Sequence, residues 1–547
     1  MLKRQRLCAE TLELRLVPST YSLHQGDSLQ ATIHAALPGD TILLDVGATF
    51  LGPITLEAKA NPLKLPITIA TNQFPLAPGV RVSPSNAPAM AEILAPGFDL
   101  PAIETQSGAS YYTFRGINIL PINSSAQVDT LVTLGDGSSA QTSPSTLPNN
   151  LILDQCYIHG WDGQLIKRGV ALNDGAPGSK TGVYDSYVSD FKLVGQDSQA
   201  IAGWNGTGPY TIQNNYLEAA GENVLFGGAY SYIQQVPSNI TITGNTFSKL
   251  LSWKPSDPSF GGITYNVKNL LELKNAQNVT VDGNLFQNNW GGAQDGHAIV
   301  LTPRGAQSGG PWVTVANVTF THNIVQNVDQ GFNILGSDDA SPSQNLTNLL
   351  IQDDFFNNIG YPVPGKNGQI FTMQPGLNGG THNVVIDHVT IAQAYTDLFV
   401  TGVHTGFQFT NSLMPQGTYG MIVGGLGSSL SALATAFPGG IITGNVIVGG
   451  LAAYYPSGNT TTNTWDEVTQ YPSVGARNVS YGSGSGSGSG TGSGSGSGTG
   501  TGSGTGSGSN STPPPWWPAG VPWTDTTMGS GSNSIPPPWW PLGVPYP

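Results

Sequence analysis

The chain has 547 residues, of which only 10% are charged, and its formal net charge is -14. It has no Lys/Arg run beyond residue 6 and no stretch of 18 apolar residues, so neither a nucleic-acid partner nor a transmembrane span is expected. Two cysteines, Cys8 and Cys156, give no disulfide framework and no zinc spacing.

The first 20 residues are basic but lack the apolar core of an ordinary signal peptide. Residues 26–37, GDSLQATIHAAL, read as a short amphipathic helix with Asp27 as N-cap and Leu29, Ile33 and Leu37 on one face. Such a helix would cover the open end of a solenoid. Early strand segments follow over 41–150, among them TILLDV, ITIAT, AEILA and YYTFRGINIL.

From about 150 to 450 one pattern recurs. A β-branched run leads into an Asn, and an apolar residue follows two positions later: Asn215/Leu217, Asn245/Phe247, Asn284/Phe286, Asn323/Val325, Asn411/Leu413 and Asn445/Ile447, with Asp354/Phe356 filling one turn. A repeat of roughly 23 to 40 residues built on a strand and a turn means a solenoid of β-coils. Each coil is read as one strand before the Asn turn and one after it. Cys156 falls at the position of the turn Asn and reads as a small filler. The Asn side chains are expected to stack from coil to coil and to tolerate left-handed turns. The Asn-x-Thr strings at Asn278, Asn317 and Asn345 follow from the same pattern and imply no glycan. Long connections at 250–266, 303–312 and 360–368 should emerge as loops on one flank.

The end of the chain differs in kind. Residues 482–509 are nearly pure Gly-Ser/Thr repeats, and two Pro/Trp motifs follow, at 510–523 and 533–547. They read as a disordered linker and a tethered tail. The expected division is a leader at 1–20, the solenoid at 21–480, the linker at 481–511 and the tail at 512–547.

Two resemblances follow from these strings. Leu12-Glu13-Leu14-Arg15-Leu16-Val17-Pro18-Ser19 resembles the leader of many large planctomycete surface and secreted proteins, which implies export. The strings at 197–228, 251–258, 267–290 and 333–344 make the body similar to right-handed parallel β-helix proteins of the pectin-lyase-like class. Within that class they resemble most an exported bacterial group of unsettled activity. The class holds lyases and hydrolases of acidic polysaccharides as well as adhesins. The resemblance therefore implies an all-β, right-handed parallel β-helix with a polysaccharide or cell-wall partner outside the cell, and the chain is expected to be a monomer.

A lyase needs a group to neutralise a uronate and a base to take a proton, whereas a hydrolase needs paired carboxylates. VVIDHVT (384–390) is similar to a calcium-binding strand of family-1 pectate lyases, which would make Asp387 a ligand. The densest charge lies at 190–304. In LLELKN, Leu271 and Leu273 must face inward, so Glu272 and Lys274 face out. Aligning the strands brings Glu222, Lys268, Glu272 and His297 together as candidate catalytic groups. Lys268 or His297 is the candidate base. Trp204, Asn205, Lys274, Asp295 and Arg304 are candidate substrate contacts, and Asp338 with Asp339 a candidate calcium site. The rival reading is a ladder of surface ion pairs on a non-catalytic adhesion protein.

Overall fold

The computed structural model describes residues 17–360 and 368–477. The expected parallel β-helix is present, but each coil carries three strands rather than two. They form three parallel sheets of 14, 14 and 12 strands among the described residues. The strand missed in the sequence follows the turn at once, as in Tyr216–Ala219, Thr246–Ser248 and Leu285–Asn289. The turn bends the chain so sharply that the apolar residue after the Asn already belongs to a new sheet. The "second" strands of the sequence reading, such as Glu222–Phe226, Leu271–Leu273 and His297–Leu301, make up the third sheet.

The turn column explains this register. Asn215 Nδ2 donates to Asn245 Oδ1, Asn245 to Asn284 and Asn284 to Asn323, each at 3.0 Å. Each Asn also donates to a strand carbonyl of the preceding coil, as Asn284 does to Ile242 at 2.9 Å. Phe247, Phe286 and Val325 are fully buried beneath the column, and Phe247 stacks on Phe286 at 4.4 Å.

Two details differ from expectation. The left-handed residue is the one before each ladder residue, including Asn214, Gly244, Gly283, His322 and Asp353, with φ between 53° and 63°. The ladder position near residue 411 is Ser412, which accepts from Val389 N–H at 3.1 Å. Asn411 takes the left-handed place and Met414 the core place. Asn does serve as a left-handed residue elsewhere. Asn239, Asn278, Asn317, Asn348 and Asn383, with φ of 54–58°, form an outer ladder at 2.8–3.3 Å.

Both ends are covered. The N-terminal helix is Leu29–Ala35, capped by the Ser28 hydroxyl rather than Asp27. Leu29 and Ile33 join the core, but Leu37 lies past the helix and is exposed. A helix not foreseen, Leu430–Ala436, packs on the far end, with Phe437 stacked on Phe407 at 3.8 Å. Residues 465–477 then double back over the outer face of the second sheet. Val468 packs with Leu413 and Val446, and Arg477 pairs with Asp353 at 2.9 Å. The expected linker and tail, the leader-like residues before 17, and most of the 360–368 connection lie outside the described residues.

Asp354 shows the chemistry of the ladder. Its Oδ1 accepts from Asn323 N–H and Nδ2 at 2.7 and 3.0 Å, while its buried Oδ2 has no partner. An Asn here would use its N–H2 on a carbonyl, so a carboxylate fits only when protonated. Burial holds this carboxyl well above the ordinary carboxylate range. The folded state thus keeps a proton that the unfolded chain loses above about pH 4, and this group's contribution to stability falls as pH rises past that point. Asp354→Asn should be as stable as the parent near pH 4 and more stable at pH 8. Melting temperatures across that range check this, and parallel pH curves for the two proteins would contradict it.

Candidate functional site

The third sheet carries a groove of about 590 Å3. Strand register puts Leu225, Glu272, Val300, Asn333 and Thr372 in one outward column, one residue per coil. Coils are about 4.8 Å apart, so Glu272 and Asn333 bracket Val300 along the floor. The 303–312 connection forms one wall with Arg304 and Gln307, and residues 293–295 form another. Gly228, in the loop after Glu222–Phe226, closes near Lys274 Nζ.

A chain of charges runs along the groove. Lys268 Nζ sits 2.7 Å from Asp197 and 2.8 Å from Glu222. Glu222 is fully buried and its other oxygen accepts from Gln199 at 2.8 Å. Lys274 lies 3.4 Å from Glu272. Burial alone would raise Glu222, but Lys268 and Gln199 hold it below the ordinary carboxylate range. Burial pushes Glu272 up to about 7; its lysine neighbours oppose the rise and the Glu222 charge adds to it. Burial also works against the Lys268 charge, yet the carboxylates around it keep its affinity for a proton above that of an ordinary lysine. The ammonium expected to act as a base is therefore a fixed cation, and proton acceptance from substrate does not fit it.

Lys249 holds the backbone of this centre and was not foreseen. It is almost wholly buried, and its Nζ donates to Ala219, Ala220, Gly221 and Asn269 carbonyls and to Asn223 Oδ1 at 2.7–3.1 Å. These contacts bracket Glu222 and follow Lys268 directly. Burial pushes this amine down to about 7.

The remaining candidates divide. His297 lines the groove, with Nε2 3.3 Å from Thr372 Oγ1. Asp295 is exposed on the rim. Arg304 lines the groove but pairs with Asp338 at 3.5 Å and with Asp339. Asp338 also accepts from Ala340 and Ala306 N–H groups. Those donors satisfy an anion, so the pair does not present itself as a calcium ligand set. Asp387 is similar: burial opposes its charge, but Thr410, His388, Asn411 and Gln352 donate to it and hold it at about 2. Among the described residues no cluster of three or more His, Cys, Asp or Glu side chains could hold a metal.

Trp204 and Asn205 are not among the residues that line the groove. Trp204 bonds Gly137 O at 2.9 Å and carries the Arg168 guanidinium 4.8 Å over its ring. Asn205 is fully buried, donating to Asp136 O and accepting from Ile233 N–H. Both anchor loops. Not every charge at 190–304 reaches the groove. Asp190, Lys192 and Glu218 sit on or beside the second sheet, and Asp282 ends a first-sheet strand beside His322. Three-strand coils send these residues to different faces.

Three polar atoms in the groove lining were missed as a set. Thr302 Oγ1, Asn333 Oδ1 and Glu272 Oε2 are buried without a hydrogen-bond partner. Buried polar atoms are nearly always paired, so three in one groove call for a ligand or water.

No family model and no curated protein matches this chain. Solved structures similar to it include an alginate lyase from Paenibacillus sp. str. FPU-7, at 17% identity over 63% of this chain and 96% of that one, with a TM-score of 0.38. An alginate lyase of the PL6 family gives 12% identity over 81% of this chain and a TM-score of 0.44, and the match spans only about half, 53%, of that protein. An alpha-1,3-glucanase catalytic unit from Streptomyces thermodiastaticus gives 13% identity over 80% of this chain and 70% of that one, with a TM-score of 0.43. At such identities the likeness is one of coiled parallel sheets alone. Among the described residues no helix is long and apolar enough to cross a membrane.

The Lys268 pairing gives a test of the centre itself. Removing one partner of a buried ion pair leaves the other charge uncompensated, at about 3–5 kcal/mol. Lys268→Met should lose stability on that scale in urea unfolding. The double variant Lys268→Met/Glu222→Gln should recover most of it. An unchanged single variant would contradict the interlocked arrangement.

Proposed function

We propose that this chain binds an extracellular polysaccharide in the groove on its third sheet, and that the Glu272 and His297 side chains act on it there. The observation that supports this most is the set of unpaired polar atoms, Thr302 Oγ1, Asn333 Oδ1 and Glu272 Oε2, spread over three successive coils of one open groove. Sugar hydroxyls donate and accept hydrogen bonds, so they complement such atoms where an apolar ligand would leave them unpaired. Lys274 and Arg304 add cations that a uronate-bearing chain would meet. Glu272 keeps a proton up to about pH 7, which suits it to protonate a departing glycosidic oxygen, with His297 as the group that takes a proton. Lys268, Glu222 and Lys249 hold the floor in place. Export to the cell surface or medium belongs to the same reading, resting on the leader-like residues 12–19.

A second reading, binding without cleavage in an adhesion role, draws on one observation. Lys268, Glu222 and Arg304 are each engaged in ion pairs, and Glu272 is only 1% exposed. A panel of neutral and uronic-acid polymers separates the two. A lyase gives an unsaturated, ultraviolet-absorbing product, a hydrolase gives only reducing ends, and an adhesin gives binding with neither. Under either reading Thr302→Val and Asn333→Leu should each weaken polymer binding about tenfold, the worth of roughly 1–1.5 kcal/mol per lost hydrogen bond. Calorimetric titration checks this, and unchanged affinity in both variants would place recognition elsewhere on the cylinder.

A further inference from the structure

Beside the groove lies a second hollow of about 430 Å3, built by the 250–266 insertion and the turn at Gly291, Gly292 and Ala293. Ala293 lines both spaces. Asn266, in the hollow, donates to the Asp197 carboxylate of the groove at 2.7 Å. One turn of chain therefore separates them.

Their chemistry is opposite. The groove offers charges and unpaired acceptors. The hollow is walled by Trp253, Tyr265 and Trp290, which are 4%, 8% and 4% exposed and form a small core of their own with Val267. Neither indole N–H has an acceptor among the described residues. One face of each indole is already occupied: Lys192 Nζ lies 5.7 Å from the Trp253 ring centre and Lys254 Nζ 5.7 Å from that of Trp290. Tyr265 meets Trp253 edge-on at 5.7 Å. Broad stacking of a sugar ring is thus not what the hollow invites. Its walls are aromatic carbon, and the two indole N–H groups remain free to donate to a ligand.

We infer that this hollow is a subsite for an acetyl substituent carried by a sugar unit of the bound chain. An acetyl group has an apolar methyl and a carbonyl that accepts hydrogen bonds, matching aromatic walls and indole donors. A bare sugar ring would instead press hydroxyl groups against apolar carbon, at a cost in unpaired polar groups. The inference rests on the reading of the groove as a saccharide site, because only a unit held there brings its substituent over Ala293.

The test uses the full chain with isotope-labelled tryptophan, observing the indole N–H resonances by NMR. Trp253→Phe and Trp290→Phe, which keep a ring and remove the donor, assign the two signals. Addition of N-acetylglucosamine should shift both, and glucose should shift neither. Each Phe variant, checked for its fold by circular dichroism, should bind N-acetylglucosamine several-fold more weakly. Equal shifts with both sugars, or no shift with either, would overturn the assignment. The outcomes remain distinct from those for the groove. Polymer binding without an acetyl response sinks this subsite alone, whereas an acetyl response without any polymer binding sinks the groove reading.

Discussion

Everything in this protein depends on one column of amide hydrogen bonds. In the middle coils a left-handed residue turns the chain, and the next side chain, Asn at 215, 245, 284 and 323, bonds both to its counterpart above and to a carbonyl below. A period-2 strand slipped by one residue would turn its whole apolar set outward. The column prevents that slip, because its bonds form only in one register. That register is what aligns Glu272, Val300 and Asn333 as a groove floor and keeps Phe247 and Phe286 stacked beneath the turns.

The same constraint accounts for what could be read from the amino acids and what could not. Side-chain alternation in LLELKN placed Leu271 and Leu273 in the core and turned Glu272 and Lys274 toward the outside, and it does so equally for Asn333 between Phe332 and Ile334. Alternation gives direction but not cover. Glu272 and Lys274 point away from the core yet lie under neighbouring side chains and the Gly228 loop. The third strand of each coil was hidden because pieces as short as Thr246–Ser248 have too few residues to show a period. Ser412 was passed over for Asn411 because the turn uses both positions, one for its backbone and one for its side chain.

Loop contacts were the other limit. Nothing in the residues near Trp204 says that Arg168, a coil earlier, will cover its ring. Nor does an isolated Lys249 among apolar residues signal five oxygen partners. Once these long-range contacts are known, roles change. Trp204 and Asn205 become anchors, Lys249 becomes the pin of the site's backbone, and Lys268 becomes a permanent counter-charge. The groove is narrower in chemistry than the charge density suggested, and its atoms without a partner are Thr302 Oγ1, Asn333 Oδ1 and Glu272 Oε2.

The proposed recognition lies on one face of a long cylinder, so the most direct measurement is a crystal structure with bound oligosaccharides from a polymer that binds. It predicts sugar density over Val300, with hydroxyls within hydrogen-bonding distance of Thr302 Oγ1 and Asn333 Oδ1. Density on another face, with the groove holding only solvent, would contradict it.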